Sequence, residues 1–373
     1  MRENIVLTTE WNIKYGGAEN VNIALSDIFI KPVEIRSIWN ENENLEPNKQ
    51  SIIRLLKWLP KSLQGLLSLP YHLVGIPRNS KLLISSSFMF SHLSRIRGGG
   101  RHLVYIHTPV RYIWNPEIDN RVASLKFLFR FISWLVKRIE RRFLDKKAIF
   151  IVNSEEVKHR VLEYWGIESE VIHPPVDVTY YSQFLRIRRP NEIRLISAGR
   201  FVPYKNHEQA IELARITGIN LILAGSGPHE RYLRQIAESS GANVNFEINP
   251  SREKLAELIS HSSIYLHLAH EDFGILPIEA MATGTPVLGY AIGGLKETVN
   301  SRNGYLVNEF AQLIEGIKVC LTRNRSTVAS TVNTYSTDLF KKRIAMSIVS
   351  HWPELTPDIK EECIDDFKSK FKS

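Results

Sequence analysis

Short apolar runs alternate with stretches of helical period along this chain. Ile5-Val6-Leu7-Thr8, Leu82-Leu83-Ile84-Ser85-Ser86-Ser87, Leu103-Val104-Tyr105-Ile106 and Ala148-Ile149-Phe150-Ile151-Val152 have the length and composition of buried strands. Ile193 to Ala198, Leu221 to Ala224, Ser263 to Leu268 and Thr285 to Tyr290 repeat the pattern in the second half. Some of these runs end at serine or run into glycine, as at Ser87, Gly199 and Gly225, and helical periodicity follows through Ile23 and Leu25, from Glu155, around Leu233, after Pro277 and from Phe340 to Val349. Strand, turn, helix in alternation predicts an α/β protein with doubly wound, Rossmann-like sheets. At 373 residues the chain has room for two such domains, each with its own core. The expected boundaries are 1–177, 178–350 and a charged tail at 351–373, with a linker near 177–190.

Two further stretches are amphipathic and basic. Ile52, Leu55, Leu56, Leu59, Leu63 and Leu66 share one helical face, with Arg54, Lys57 and Lys61 opposite. Pro60 kinks or splits that helix. Between 125 and 147, Lys126, Arg130, Lys137 and Arg141 fall within about a 60° arc. Leu128, Phe131, Ile132, Leu135, Val136 and Ile139 lie on the other side, flanked by Phe129 and Trp134. A helix packed into its domain with a solvated basic face explains either stretch. An interfacial helix on anionic lipid explains both together.

Charge sharpens this reading. The net charge is +9, yet residues 47–147 alone carry 19 Lys and Arg against 4 Asp and Glu. A basic first domain invites an anionic partner: nucleic acid, a phosphorylated acceptor or a membrane surface. The basic residues are interleaved with Leu and Phe at helical spacing and match no nucleic-acid motif, so nucleic acid is the weakest of the three. The two cysteines, Cys320 and Cys363, give no disulfide framework and no zinc spacing, which points to a reducing compartment. The N-terminus shows no basic-then-apolar signal pattern. No uncharged apolar run reaches the about 18 residues of a spanning helix.

The candidate chemistry centres on Glu271-Asp272-Phe273-Gly274-Ile275-Leu276-Pro277-Ile278-Glu279. A glycine turn feeds a helix expected to start at Pro277, so backbone N–H groups and the positive end of the helix dipole are offered to an anion such as phosphate. Carboxylates on either side repel a phosphate but accept hydrogen bonds from hydroxyls, a combination that suits a nucleotide-sugar. The plainer alternative has Glu279 capping its own helix and Glu271 as a solvated loop charge. Arg200 and Lys205, after the strand ending Ser197-Ala198-Gly199, are placed to meet a diphosphate, or are surface cations. Gly16 and Gly17 form a close-approach loop or a tight turn. His107, Arg111, Tyr112 and Trp114 gather after the strand Leu103–Ile106, where open parallel sheets bind ligands.

These segments resemble a known family. Glu271 to Glu279 resembles the E-x7-E signature of retaining GT-B glycosyltransferases of family four. His107-Thr108-Pro109-Val110-Arg111-Tyr112-Ile113-Trp114 is similar to a segment of its bacterial O-antigen and lipopolysaccharide mannosyltransferase branch. Gly16-Gly17-Ala18-Glu19, Pro174-Pro175-Val176-Asp177, Gly199-Arg200 with Lys205, Gly225-Ser226-Gly227-Pro228 and Gly293-Gly294 also match family motifs. The resemblance implies two Rossmann-like domains facing a central cleft, with the last helix crossing back to the first domain. It implies that Glu279 holds the donor ribose, that Glu271 approaches the donor sugar, and that Arg200 and Lys205 hold the donor phosphates. Backbone at Phe273, Gly274 and Ile275 then meets sugar and diphosphate. His107 faces the donor sugar, and Gly16 and Gly17 lie near the donor phosphate. Arg111, Tyr112 and Trp114 are acceptor-side candidates.

The activity implied is retaining hexosyl transfer, with mannose from GDP-mannose as the first choice. No cofactor or metal is expected: no two aspartates stand two apart, and the family's chemistry is metal-independent. The expected acceptor is a lipid-linked oligosaccharide, met by a cytoplasmic protein peripheral on the inner face of the membrane. The rivals are the same fold with a UDP-hexose donor, a GT-B epimerase or phosphorylase, and a noncatalytic nucleic-acid-binding protein.

Overall fold

The computed structural model describes residues 4–12, 17–40, 68–114, 126–187 and 192–365, with backbone alone at 12, 38–40, 112 and 126–129. The amphipathic stretch expected at 52–66 and the polar loop at 41–50 lie outside the described residues. The chain divides into two units, Met1–Pro175 with Asp338–Ser373, and Val176–Thr337.

The first unit contains β1 (Asn4–Asn12), β2 (Glu34–Asn40), β3 (Ser80–Ser87), β4 (His102–Ile106), β5 (Ile149–Val152) and β6 (Glu170–Val171). They form one parallel sheet in the order β2-β1-β3-β4-β5-β6. Residues 82–87 and all of β4 are buried, as expected of parallel strands covered on both faces. Their apolar side chains need no polar alternation, which is why they read as continuous runs.

The second unit contains β7 (Arg194–Arg200), β8 (Asn220–Ser226), β9 (Val244–Ile248), β10 (Ile264–His267), β11 (Val287–Tyr290) and β12 (Gly304–Val307). This sheet too is parallel, ordered β12-β11-β10-β7-β8-β9. Each unit thus has its own doubly wound α/β sheet, the fold class expected from the sequence. The strand order reverses between β1 and β3 in the first unit, and between β7 and β10 in the second.

The boundaries differ from those read off the sequence. The helix Thr337–His351 belongs to the first unit. Its Phe340, Ile344 and Ile348 pack with Leu7, Val21, Leu25 and Ile84, and Lys341 pairs with Asp27 at 2.9 Å. The second unit therefore ends at 337, not 350. Among the described residues beyond the helix, Pro353–Asp358 and Glu361–Cys363 are short 3-10 segments, and Leu355, Ile359, Cys363 and Ile364 join the same core. Nor is 177–190 simply a linker. Val178–Ser182 is helical, capped by Asp177, whose carboxylate accepts the Tyr180 N–H at 3.1 Å. Val176, Val178 and Tyr181 are buried against Phe273, Ile278 and Met281.

Candidate functional site

In the second unit the reversal between β7 and β10 is the usual ligand address of an open parallel sheet. Charged residues follow both strands. β7 ends at Arg200, whose side chain is exposed, and a 3-10 turn at Pro203–Lys205 follows. Asn206 then takes a left-handed conformation, φ 54°, and its side-chain amide donates to Leu268 O at 2.7 Å. That bond ties the β7 loop to the end of β10. It brings Lys205 Nζ into a hydrogen-bonded ion pair with Glu271 Oε1. The pair is mostly buried, with the Lys205 side chain 10% exposed and that of Glu271 22%.

His267, the last residue of β10, completes this group. Its Nε2 lies 3.4 Å from Glu271 Oε2. Burial pulls its pKa down to about 4; the Lys205 charge adds to the shift and Glu271 opposes it. At neutral pH His267 is therefore an uncharged imidazole beside a lysine–glutamate pair.

The helix after Glu271 runs Ile275–Ala282, with Gly274 as its N-cap at φ 89°. It starts two residues before Pro277. Proline is still tolerated there, because N–H groups of the first turn have no partner within the helix. With no side chain at the cap, the N–H groups of that turn remain available to an anion. Phe273 itself is buried, its ring edge-on to Tyr335 at 5.7 Å, so only its backbone can serve a ligand.

The turn Glu271–Gly274 is braced by Gly293-Gly294. Gly294 N–H donates to Glu271 O at 3.0 Å. A Cβ on Gly293, which has φ 58°, would stand 2.1 Å from Glu271 O. Gly293→Ala is expected to destabilise the protein by about 2–4 kcal/mol, read as a lowered denaturation midpoint in urea. An unchanged midpoint would show that the two loops can part without cost.

Glu279 sits one turn into the helix, bonded to the Tyr181 hydroxyl. Burial raises its pKa to about 7, with Tyr181 and Arg252 opposing and Asp177 adding. Arg252 donates to Asp177 at 2.9 Å and, through Nε at 3.4 Å, to the Tyr181 hydroxyl. Its guanidinium lies 3.8 Å from the Tyr180 ring centroid. Glu279 is thus held by an array from three separate segments and does not serve as a helix cap.

The first-unit candidates follow β4, apart from Gly16 and Gly17, which follow β1. His107 is half-buried, its Nε2 2.9 Å from Ser86 Oγ, and its carbonyl accepts the Asn153 side-chain N–H at 2.8 Å. Arg111 is half-buried in the short helix Arg111–Trp114. Gly17 opens the exposed start of Gly17–Asp27. Gly16 and the Tyr112 side chain lie outside the described residues. Trp114 corrects an expectation: it is buried, stacked on Tyr164 at 4.7 Å, and its indole N–H is given to Glu140 at 2.6 Å. Its surface is spent inside the domain, which leaves none for an acceptor.

The apolar face of the helix Lys126–Phe143 is only partly packed: Phe131 (57% exposed), Trp134 (56%), Leu135 (41%) and Phe143 (40%) lie outward. Ile132, Val136 and Ile139 turn inward. No described helix is long and apolar enough to cross a membrane.

Sequence reasoning missed His267, Tyr181, Arg252 and the buried Glu10. A strand-end position four residues before Glu271 was the available signal for His267. Tyr181 and Arg252 are 71 residues apart, and nothing in their local sequence pairs them.

Comparison with known proteins agrees with this architecture. Residues 15–180 match the family model described as Glycosyltransferase Family 4, and residues 185–331 match Glycosyl transferases group 1. The mouse (Mus musculus) GDP-Man:Man(3)GlcNAc(2)-PP-Dol alpha-1,2-mannosyltransferase is 30% identical across 51% of this chain and 42% of its own length. Alpha-1,3/1,6-mannosyltransferase alg2 of Schizosaccharomyces pombe is 26% identical across 69% of this chain and 60% of its own. The chain thus spans less than two thirds of the length of these curated relatives. Among solved structures, sucrose-phosphate synthase of Thermosynechococcus elongatus superposes with a TM-score of 0.68 at 18% identity, covering 95% of this chain and all of that one. With two doubly wound parallel sheets and both family models matched in order, the chain belongs to the glycosyltransferases of the GT-B fold, a Glycosyltransferase Family 4 unit followed by a group 1 unit.

Proposed function

We propose that this protein transfers a hexose, mannose from GDP-mannose, with retention onto a lipid-linked oligosaccharide in cell-surface glycan synthesis. The observation that carries the reading is the Lys205–Glu271 pair beside the glycine-capped helix start at Gly274. Cation, backbone N–H groups and hydroxyl-accepting carboxylate stand together where a diphosphate and its sugar need them. The mannosyltransferase relatives support the choice of sugar and of a lipid-linked acceptor.

In this reading Arg200, Lys205 and the helix N-terminus take up the charge that develops as the sugar–phosphate bond breaks. Their charge removes the need for a divalent ion. The sugar C1–O bond to the diphosphate breaks as the acceptor oxygen bonds C1 on the same face, and the acceptor proton passes to the departing phosphate oxygen. Glu279 holds the ribose hydroxyls, Glu271 the donor sugar, and backbone at Phe273, Gly274 and Ile275 lies along sugar and diphosphate. His107 is the first unit's donor-sugar group, with Gly16 and Gly17 serving phosphate and Arg111 and Tyr112 the acceptor. The exposed Phe131, Trp134 and Leu135 with Arg130 and Arg138 suit an anionic membrane surface at its inner, cytoplasmic face.

The test is a donor panel of GDP-mannose, UDP-glucose and UDP-galactose with lipid-linked acceptor, run with and without EDTA, reading transfer and product anomer. GDP-mannose is expected to serve best, EDTA to have no effect, and the product to keep the donor's α configuration. An inverted product sinks the mechanism, and preference for a UDP-hexose sinks the choice of donor.

A further inference from the structure

The helix Lys126–Phe143 turns one carboxylate, Glu140, fully into the interior of the first unit. A buried carboxylate is costly unless its oxygens are met. Oε2 is met: it accepts the Trp114 indole N–H at 2.6 Å. Oε1 makes no hydrogen bond among the described residues and stands 3.3 Å from His92 Nε2, within ion-pair distance. His92 Nδ1 is 2.9 Å from Ser87 Oγ, and the Ser87 hydroxyl donates to Glu10 at 3.4 Å. Glu10 in turn accepts the N–H groups of Phe88, Met89, Phe90 and Ser91, the shortest at 2.6 Å. These buried polar groups line up from the β1–β3 reversal to the inner face of the surface helix, hydrogen-bonded at every step except the His92–Glu140 approach.

Trp114 is its outer terminus, and the same helix grips the indole twice more. Lys137 Nζ lies 4.9 Å and the Arg141 guanidinium 5.2 Å from the ring centroid, both within cation–π range. A hydrophobic residue in place of Glu140 would fill the space at less cost. What it would not do is fix the orientation of Trp114. Trp114 ends the four-residue helix that begins at Arg111, so its orientation sets that of the loop.

We propose that Glu140 is a positioning residue for acceptor use. Through Trp114 it locks the loop carrying Arg111 and Tyr112 to the helix whose outer face presents Phe131 and Trp134. This rests on the glycosyl-transfer reading above and assigns a residue that reading does not use.

The test compares wild type with Glu140→Leu, Glu140→Gln and Trp114→Phe, using GDP-mannose and a prenyl diphosphate-linked oligosaccharide in vesicles with anionic lipid. Acceptor KM is read by transfer, and donor affinity separately by calorimetry with GDP. Glu140→Leu and Trp114→Phe should each raise acceptor KM about tenfold, and GDP affinity should stay within about twofold. The double variant should be no worse than either single one. Glu140→Gln, whose amide oxygen still accepts the indole N–H, should recover most of the loss. Acceptor KM unchanged in both single variants, or GDP affinity falling in step with it, would overturn the proposal. Trp114→Phe removes the indole N–H but leaves an aromatic ring to stack on Tyr164, so the test survives if Glu140→Leu fails to fold. If wild type transfers no hexose from any donor, the glycosyl-transfer reading falls first and this proposal with it.

Discussion

Replacing Lys205 by alanine is expected to lower kcat/KM for hexosyl transfer by about 10²–10³, with the far-UV spectrum unchanged. The expectation follows from where the ammonium sits. Lys205 is mostly buried and paired with Glu271, four residues before the helix Ile275–Ala282, and the Asn206–Leu268 bond anchors its loop. A cation held there before the donor arrives needs no reorganisation when charge builds on the leaving diphosphate, and the partly dry surroundings strengthen its effect. Arginine at this position keeps the charge but is a planar fork on a longer stem, so Lys205→Arg should recover only part of the loss. A second readout separates this role from simple structural damage. Lys205 helps to hold the His267 pKa down, and Glu271 pushes it up. With the lysine gone, the His267 pKa should climb above its value of about 4, visible in the ring proton shifts across a pH titration. Normal turnover in Lys205→Ala would remove the phosphate-clamp reading, whatever the histidine does.

The same group shows how far a sequence can be read. The strand-end positions of Glu271 and Lys205 were legible because strand, glycine turn and helix succeed one another in a fixed local order, and the parallel strands between them are apolar on both faces. The doubly wound class was legible for the same reason. Distance along the chain hid the rest. By pattern alone the apolar residues of Thr337–His351 suit either unit's core; the family resemblance implied a last helix crossing back to the first, and packing against Leu7, Val21 and Leu25 assigns them there. Trp114 lies in a loop full of polar candidates, yet Glu140, from another helix, claims its N–H. Periodicity puts Phe131 and Leu135 on one apolar face with Ile132 and Val136 but does not say how much of it is packed; the fold covers a narrower stripe, centred on Ile132, Val136 and Glu140. The environment of Glu279 depends on Tyr181 and Arg252, contributed by a helix and a loop that no local pattern joins to it.

That environment makes donor binding pH-dependent in a direction that can be stated. Glu279 carries a pKa raised to about 7, chiefly because burial penalises its charge. Ribose hydroxyls donate hydrogen bonds, and the ionised carboxylate is the better acceptor for both. Below pH 7 the free protein holds a proton that donor binding must expel, so affinity for GDP should weaken about tenfold between pH 8 and pH 6. Glu279→Gln has no proton to lose there. Its affinity should be lower at pH 8 and should follow only the titration of the nucleotide phosphate, so the ratio of the two proteins' Kd values isolates Glu279. The same shift enters stability with its own sign. The unfolded chain ionises this carboxyl near its ordinary 4.5, whereas the folded protein keeps it protonated to about 7. The folded state therefore binds the extra proton between those values. The contribution of Glu279 to stability is present below pH 4.5 and is lost as the pH rises to 7. Glu279→Gln should flatten that slope in a Tm-against-pH series, gaining on wild type at neutral pH while losing donor affinity. A Kd ratio constant from pH 6 to 8 would show that Glu279 does not meet the donor through its carboxylate, because no other account of a ribose anchor leaves a pKa near 7 without effect on binding.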